Sequence, residues 1–177
     1  MAVVLSLLTC FAALVLAVTL YALTRDQNPD IALLALTCRV GEGVLSAAVG
    51  VPAMAGLLWL ATTAQPGETD AAATQALGTF LFKLLGWNPV IAATFFAVGS
   101  TLFSWLLLRG RMIPVPLAWL GVLASALLVF VLPPQLAGFI AGPATLLTWL
   151  PMLAFEVTLA LWLLFKGVGI PERRQSA

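Results

Sequence analysis

The sequence predicts an all-α fold: a polytopic transmembrane helical bundle with about five spans in a single domain. Of its 177 residues, 62% are hydrophobic and only 8% are charged, whereas soluble domains have about 25% charged residues. Five apolar runs are separated by short polar stretches. A bilayer core of about 30 Å needs roughly 20 apolar residues as helix, and backbone groups in lipid must be satisfied internally. These runs are therefore expected to be membrane-spanning helices.

Composition also narrows the function. The chain has no histidine, which excludes zinc–histidine sites, bis-histidine haem and a Ser-His-Asp triad. Cys10 and Cys38 lie in separate apolar runs and are expected to behave as small hydrophobic residues. We therefore expect no metal and no cofactor, and an enzymatic function is disfavoured.

Charge and motifs argue against nucleic acid and nucleotides as partners, which leaves the lipid bilayer as the main expected partner. The net charge is only +1, so no basic patch is present for nucleic acid. No phosphate-binding GxxxxGK[ST] or GxGxxG motif is present, which argues against a nucleotide-driven pump.

The apolar runs place the spans at about 2–24, 31–52, 88–108, 114–132 and 145–165. The first lacks the basic n-region of a signal peptide and is expected to be retained. Two runs are too long for one simple span, because residues 31–63 and 71–108 would measure roughly 50 Å and 57 Å as helices. We expect a bend at Pro52 with a helical extension to residue 63. In the third run we expect a break at Gly86–Pro89, which would leave residues 71–85 as an interfacial or protruding helix. Strong tilt is the alternative.

Basic residues in the loops predict the orientation. They occur after the first run, after the third run and in the C-terminal tail, but not after the second or fourth run; they are Arg25, Arg109, Arg111, Lys166, Arg173 and Arg174. Because cytoplasmic loops carry the excess of Lys and Arg, five spans with the N-terminus outside and the C-terminus cytoplasmic fit every loop.

Charged residues inside the apolar runs are the candidate functional residues, because such residues are costly in a membrane. Arg39 and Glu42 lie three apart on one helix face, and helical rise places Glu156 at a similar depth if the second and fifth spans are neighbours. One base and two acids leave one carboxylate unpaired, which must be protonated, contact water or bind a cation. The alternative is that Arg39 and Glu42 simply neutralise each other and fix helix packing. Lys83 is expected to snorkel at the outer interface.

Trp87 and Asn88, at the expected break, are secondary pocket candidates. The alternative for Trp87 is an anchor at the membrane interface, where aromatic residues are enriched.

Four stretches together resemble the motifs of one family. They are CRVGEGVL at 38–45; GWN, FFAVGS, LLLR and IP between 86 and 114; LAWLGV at 117–122; and FE, LWLL and KGV between 155 and 168. The corresponding family patterns are F-R-L-V-E-A-x-I/L, G-x-x-F-F-G-L-G…L-L-x-R-S-x-x-I-P, W-L-G-V and F-E-x-x-L-G-L-W-L-L-x-K-G. The chain thus resembles, over about residues 30–168, the bacterial multi-pass membrane proteins of domain of unknown function 4386.

The resemblance implies a helical bundle in a bacterial cytoplasmic membrane and implies no activity. Arg39, Glu42 and Glu156 match charged positions of the family. Members usually have one more N-terminal span, and the lack of that span here agrees with an outside N-terminus. Members also often have a Leu-His-Asp-x-Gly stretch, where this chain has Phe82–Gly86 without the polar pair.

Three functional hypotheses follow. The first is binding or transport of a small-molecule ligand or a proton by Arg39, Glu42 and Glu156. The alternative is a structural or accessory subunit of a membrane complex, whose charges pair with a helix of a partner membrane protein. An intramembrane enzyme using the two carboxylates is a third and weaker hypothesis, since a general acid–base pair must lie within hydrogen-bond reach of its substrate.

Overall fold

The computed structural model describes residues 2–63, 71–140, 142 and 144–167. Within these residues the regular secondary structure is entirely helical, which confirms the all-α fold. The α-helices are α1 (Ala2–Thr24), α2 (Pro29–Leu45), α3 (Val51–Thr63), α4 (Ala71–Arg109), α5 (Val115–Leu136), α6 (Ala144–Leu147) and α7 (Leu150–Phe165), and a π-helical turn at Ser46–Gly50 connects α2 to α3.

Four helical stretches of the described chain are long and apolar enough to cross a membrane: Pro29–Thr62, Ala72–Arg109, Val115–Leu136 and Thr145–Phe165. The apolar stretch Leu8–Thr24 of α1 is shorter. The outer surface of the bundle is apolar as well: Phe82, Phe130 and Phe165 are 72%, 77% and 78% exposed. These features are those of a helical membrane bundle. Four of the five predicted spans thus have helices of spanning length, and a fifth span at α1 remains a prediction. The orientation of the termini and the exact span limits also remain predictions.

The π-helical turn lies where the sequence predicts a bend. α2 begins at a favourable cap, because Asn28 Oδ1 accepts a hydrogen bond of 3.1 Å from the Ile31 amide and Pro29 takes the first helical position. Pro52 has no N–H for the carbonyl of Ala48 and its ring crowds that oxygen. The wider turn at Ser46–Gly50 contains this carbonyl, so the helical path continues from α2 into α3.

The break expected at Gly86–Pro89 does not occur. Instead, α4 is one continuous helix through Pro89. Neighbouring helices hold both halves in line: α3 packs on α4, as do α2 and α5. Proline is tolerated in such helices when the surrounding structure supports the freed backbone groups. Whether residues 71–85 leave the membrane remains a prediction.

Smaller differences occur near the later span ends. α5 continues through Pro133 and Pro134 to Leu136, four residues beyond the predicted end. The last apolar stretch is divided by a turn at Thr148–Trp149, and Pro151 lies in the first turn of α7, where its missing N–H costs no helical hydrogen bond.

The centre of the bundle is α4, which packs on α5, α2 and α3, while α1 packs mainly on α2, and α7 on α5. Large side chains fill this core, among them Phe103, Leu106, Leu128 and Met152. By contrast, α1 and α7 have no substantial packing contact with each other. Residues of both helices instead line one cavity, so the bundle has a gap between α1 and α7.

Candidate functional site

Arg39 is the most buried charged residue of the described chain, with 5% of its surface exposed. Its Cζ lies 4.6 Å from the ring centroid of Phe96 on α4, a distance at which a guanidinium is attracted to an aromatic face. The aliphatic part of Arg39 passes over Gly99, where a β-carbon would lie 3.0 Å from Arg39 Cγ. The lack of a side chain at position 99 therefore gives Arg39 its place between α2 and α4.

Arg39 forms an ion pair with Glu42. Their Nη1 and Oε2 atoms are 2.8 Å apart, and the side chains are 6% and 20% exposed. The N–H is not directed at the carboxylate, since neither atom has a hydrogen-bond partner, and Arg39 Nε has none either. Buried donors are normally satisfied. The pair is therefore held by charge, and part of the hydrogen-bonding capacity of Arg39 is unused.

Glu42 faces the larger of two cavities, which has a volume of about 400 Å³. Residues of α1, α2, the π-helical turn, α3 and α4 line this half-open cavity. Its polar lining comes from Glu42, Ser46, Asn88 and Thr9, and Cys10 lies beside them. A volume of this size is within the usual range of about 300–1,000 Å³ for ligand pockets. The π-helical turn contributes directly to this wall, as such turns often do at functional sites.

Arg39 faces the smaller cavity, which has a volume of about 240 Å³. It lies in the gap between α1 and α7, with α4 as its floor. Its polar lining comes from Arg39, Glu156, Ser100 and Ser104, and the rest is apolar. Phe103 and Phe155 are part of this apolar lining, although both side chains are almost wholly buried.

The two cavities lie at different levels along the helices. On α4 the larger one is lined by Leu85, Asn88 and Pro89 and the smaller one by residues 100–107. On α1 the larger cavity is lined by residues 5–13 and the smaller by Leu16 and Leu20. The two linings are offset by roughly 25 Å along α4 and by roughly 13 Å along α1. The Arg39–Glu42 pair stands at their junction, with one member facing each cavity.

Glu156 shares the smaller cavity with Arg39 but does not form an ion pair with it. Within the described residues, no basic group lies within 4.0 Å of the Glu156 carboxylate, although the charge of Arg39 still acts on it electrostatically. The residue is exposed on the surface of α7. Arg39 thus contacts Glu42 and shares a cavity with Glu156, whereas the two glutamates line different cavities.

Trp87 and Asn88 differ sharply despite being neighbours. Asn88 is 8% exposed and lines the larger cavity beside Glu42. Trp87 is 58% exposed and lines neither cavity. Lys83 is also exposed, as expected for a snorkelling side chain.

Sequence reasoning did not identify the two serines of the smaller cavity. The four-residue spacing of Ser100 and Ser104 is typical of ordinary helix packing. The sequence does show that Phe96, Ser100 and Ser104 share one face of α4, but only the structure shows that Arg39 lies on Phe96. Thr9 and Cys10 carry no sequence signal that separates them from other lipid-embedded residues.

Comparison with known proteins identifies the family. No curated protein and no solved structure matches the chain. The family match covers residues 1–167 and therefore includes α1, which lies outside the stretch carrying the motif resemblance. The chain belongs to the family described as "Domain of unknown function (DUF4386)".

Proposed function

We propose that the protein transports a small molecule or a proton across a bacterial cytoplasmic membrane, using Arg39, Glu42 and Glu156. The observation that carries this proposal is the position of the Arg39–Glu42 pair between two cavities at different levels of the bundle. The cavities supply two vestibules, and the pair forms the barrier between them.

The energetics of the pair support a role beyond packing. Taking two charges out of water costs several kcal/mol per ion, and apolar residues of similar volume often serve stability as well or better. Arg39 also keeps buried donors that Glu42 does not use. A solute that offers an acceptor to Arg39 would compete with Glu42 and loosen the barrier. Ionisable groups inside membranes mark solute and proton pathways for this reason.

The proposal is tested with purified protein in liposomes. Proton flux is followed with an entrapped pH-sensitive dye under an imposed potassium diffusion potential, and solute uptake with radiolabelled amino acids, carboxylates and organic cations. Arg39→Ala, Glu42→Gln and Glu156→Gln are expected to reduce flux, while Lys83→Gln, at an exposed position, is expected to leave it unchanged. Wild-type flux in all three cavity variants would overturn the proposal.

A second candidate is an accessory subunit of a membrane complex, and a specific observation favours it. Glu156 is exposed on α7, and no basic group of the described chain pairs with it. A basic residue on a partner helix would neutralise it in lipid, where an unpaired charge is costly. This role predicts co-purification with another membrane protein that is lost in Glu156→Gln. A wild-type protein that purifies alone as a stable monomer would contradict it.

A further inference from the structure

The smaller cavity is surrounded by charged side chains of both signs. Three charged side chains meet at or beside it: Arg39 and Glu156 line it, and Glu42 contacts Arg39 from the other side. With all three ionised their sum is −1. A ligand of charge +1 brings the site to neutrality, a zwitterion leaves it at −1, and an anion takes it to −2. In a low-dielectric interior such differences dominate ligand choice.

The unpaired group is Glu156. The positive charge of Arg39 already lies 2.8 Å from a Glu42 oxygen and 4.6 Å from the Phe96 ring centroid. The Glu156 carboxylate has no basic partner within 4.0 Å in the described residues. It shares this cavity with a mostly apolar lining. A carboxylate that has no counter-charge in apolar surroundings favours a cationic nitrogen as its partner.

Arg39 adds a second requirement. It is 95% buried, it lines this cavity, and its Nε has no hydrogen-bond partner. A buried donor left without an acceptor is energetically unfavourable. A neutral acceptor on the ligand, such as a carbonyl oxygen, would be attracted to the Arg39 guanidinium without adding negative charge to the site.

One route into the cavity lies in the plane of the membrane. Leu16 and Leu20 of α1 form one side and Leu159 and Leu163 of α7 form the other, while the two helices do not pack on each other. Glu156 is exposed in this gap. An amphiphilic molecule dissolved in the bilayer could therefore reach Glu156 from the side.

We propose that the smaller cavity binds an organic cation with an apolar body and a hydrogen-bond acceptor, the cation at Glu156 and the acceptor at Arg39. This names the substrate class of the proposed transport path and rests on that function for its physiological meaning. The binding itself is measurable without transport.

The test compares matched probes in equilibrium binding to the detergent-purified protein. Benzoylcholine carries a quaternary ammonium and an ester; 3,3-dimethylbutyl benzoate replaces the nitrogen with carbon; (4-phenylbutyl)trimethylammonium lacks the ester; and benzoate is the anion. Benzoylcholine is expected to bind roughly tenfold more tightly than its neutral isostere, the magnitude of one good charge contact. The ester-free cation is expected to bind more weakly than benzoylcholine, and benzoate not to bind.

Glu156→Gln keeps the shape of the side chain and removes its charge. It is expected to abolish the preference for benzoylcholine over the neutral ester while leaving neutral-ester binding unchanged. Asp30→Asn is the control, because Asp30 is an exposed acid at the start of α2 and lines neither cavity; it should retain the preference.

The outcomes separate this inference from the transport proposal. Equal binding of the cation and its neutral isostere, tighter binding of benzoate, or a preference that persists in Glu156→Gln would overturn the cation site. An ester-free cation that binds as tightly as benzoylcholine would overturn the acceptor assignment to Arg39. Specific benzoylcholine binding without uptake into liposomes would overturn transport and leave the binding site intact.

Discussion

Gly99 and Arg39 are in such close contact that a β-carbon on Gly99 would lie 3.0 Å from Cγ of Arg39 and 3.1 Å from its Cδ. The carbonyl oxygen of Ala35 would be 3.1 Å away as well. Because that oxygen belongs to the backbone of α2, a small rotation of the arginine side chain would not relieve the crowding. The position of the buried charge thus depends on a missing side chain on the neighbouring helix.

Gly99→Ala is expected to destabilise the protein by about 1–3 kcal/mol, the usual cost of overpacking, and to displace Arg39 from Phe96. Gly86→Ala is the matched control on the same helix, because a β-carbon there would meet nothing within 4 Å. Alanine favours the helix by up to about 1 kcal/mol, so this control should be neutral or stabilising. Denaturation in mixed detergent–SDS micelles measures both changes, and equal stability of the two variants would contradict the close approach.

Removing one member of the Arg39–Glu42 pair is expected to cost more than removing both. Arg39→Met leaves Glu42 buried without its counter-charge, at a cost of about 3 kcal/mol. The double variant Arg39→Met/Glu42→Gln should recover much of that loss. A double-mutant cycle by SDS denaturation gives the coupling energy.

The same double variant separates structure from function. If the pair acts only in helix packing, recovery of stability should restore all properties of the protein. The proposed transport role predicts recovered stability without recovered flux in liposomes. Restored flux would contradict it.

Gly121 allows α5 to approach α7. A β-carbon on this residue would lie 2.5 Å from Cε2 and Cζ of Phe155 and 2.7 Å from Ser104 Oγ. Gly121→Ala should therefore destabilise the bundle by about 1–3 kcal/mol, as measured by thermal unfolding in detergent. Phe155→Leu in the same chain should partly rescue it by making room, and failure of this rescue would count against ring contact as the cause.

Cysteine labelling tests the arrangement of the cavities. In a Cys38→Ala protein, Cys10 lies in the larger cavity and should react with a membrane-impermeant methanethiosulfonate added outside. In a chain with both native cysteines replaced by alanine, Ser100→Cys lies in the smaller cavity and should react from the cytoplasmic side. Leu123→Cys, at a position 62% exposed on α5, is the lipid-facing control and should not react. Labelling of both cavities from one side would exclude two separate vestibules.

Asn88 and Trp87 provide a comparison between adjacent residues. Asn88→Ala removes a buried amide from the larger cavity, and loss of about one hydrogen bond to a passing solute, about 1 kcal/mol, would slow flux roughly fivefold. Trp87→Ala alters a largely exposed side chain and should leave flux close to that of the wild type. Equal effects of the two substitutions would place the path elsewhere.

Much of the fold follows from the sequence because lipid imposes simple rules. Long apolar runs must be helices when the backbone has no other partner, and the runs around Pro29–Thr62 and Val115–Leu136 are helical as expected. The contact between Arg39 and Glu42 is also local, since residues three apart lie on one helix face. The effect of Pro89 was not local: a proline favours a break, but packing against the neighbouring helices keeps α4 continuous.

Helical periodicity and position along a span indicate on which helix face and at what membrane depth a residue lies. They do not indicate which helix lies opposite. They bring Arg39, Glu42 and Glu156 to a similar level, and they cannot show that the two glutamates line different cavities. That division depends on α4 lying at the centre of the bundle and on the gap between α1 and α7. Such neighbour relationships arise from close approaches such as those at Gly99 and Gly121, where small residues let helices pack closely. The sequence therefore identifies the charged residues inside the bundle. Helix packing alone decides that the two glutamates line separate cavities.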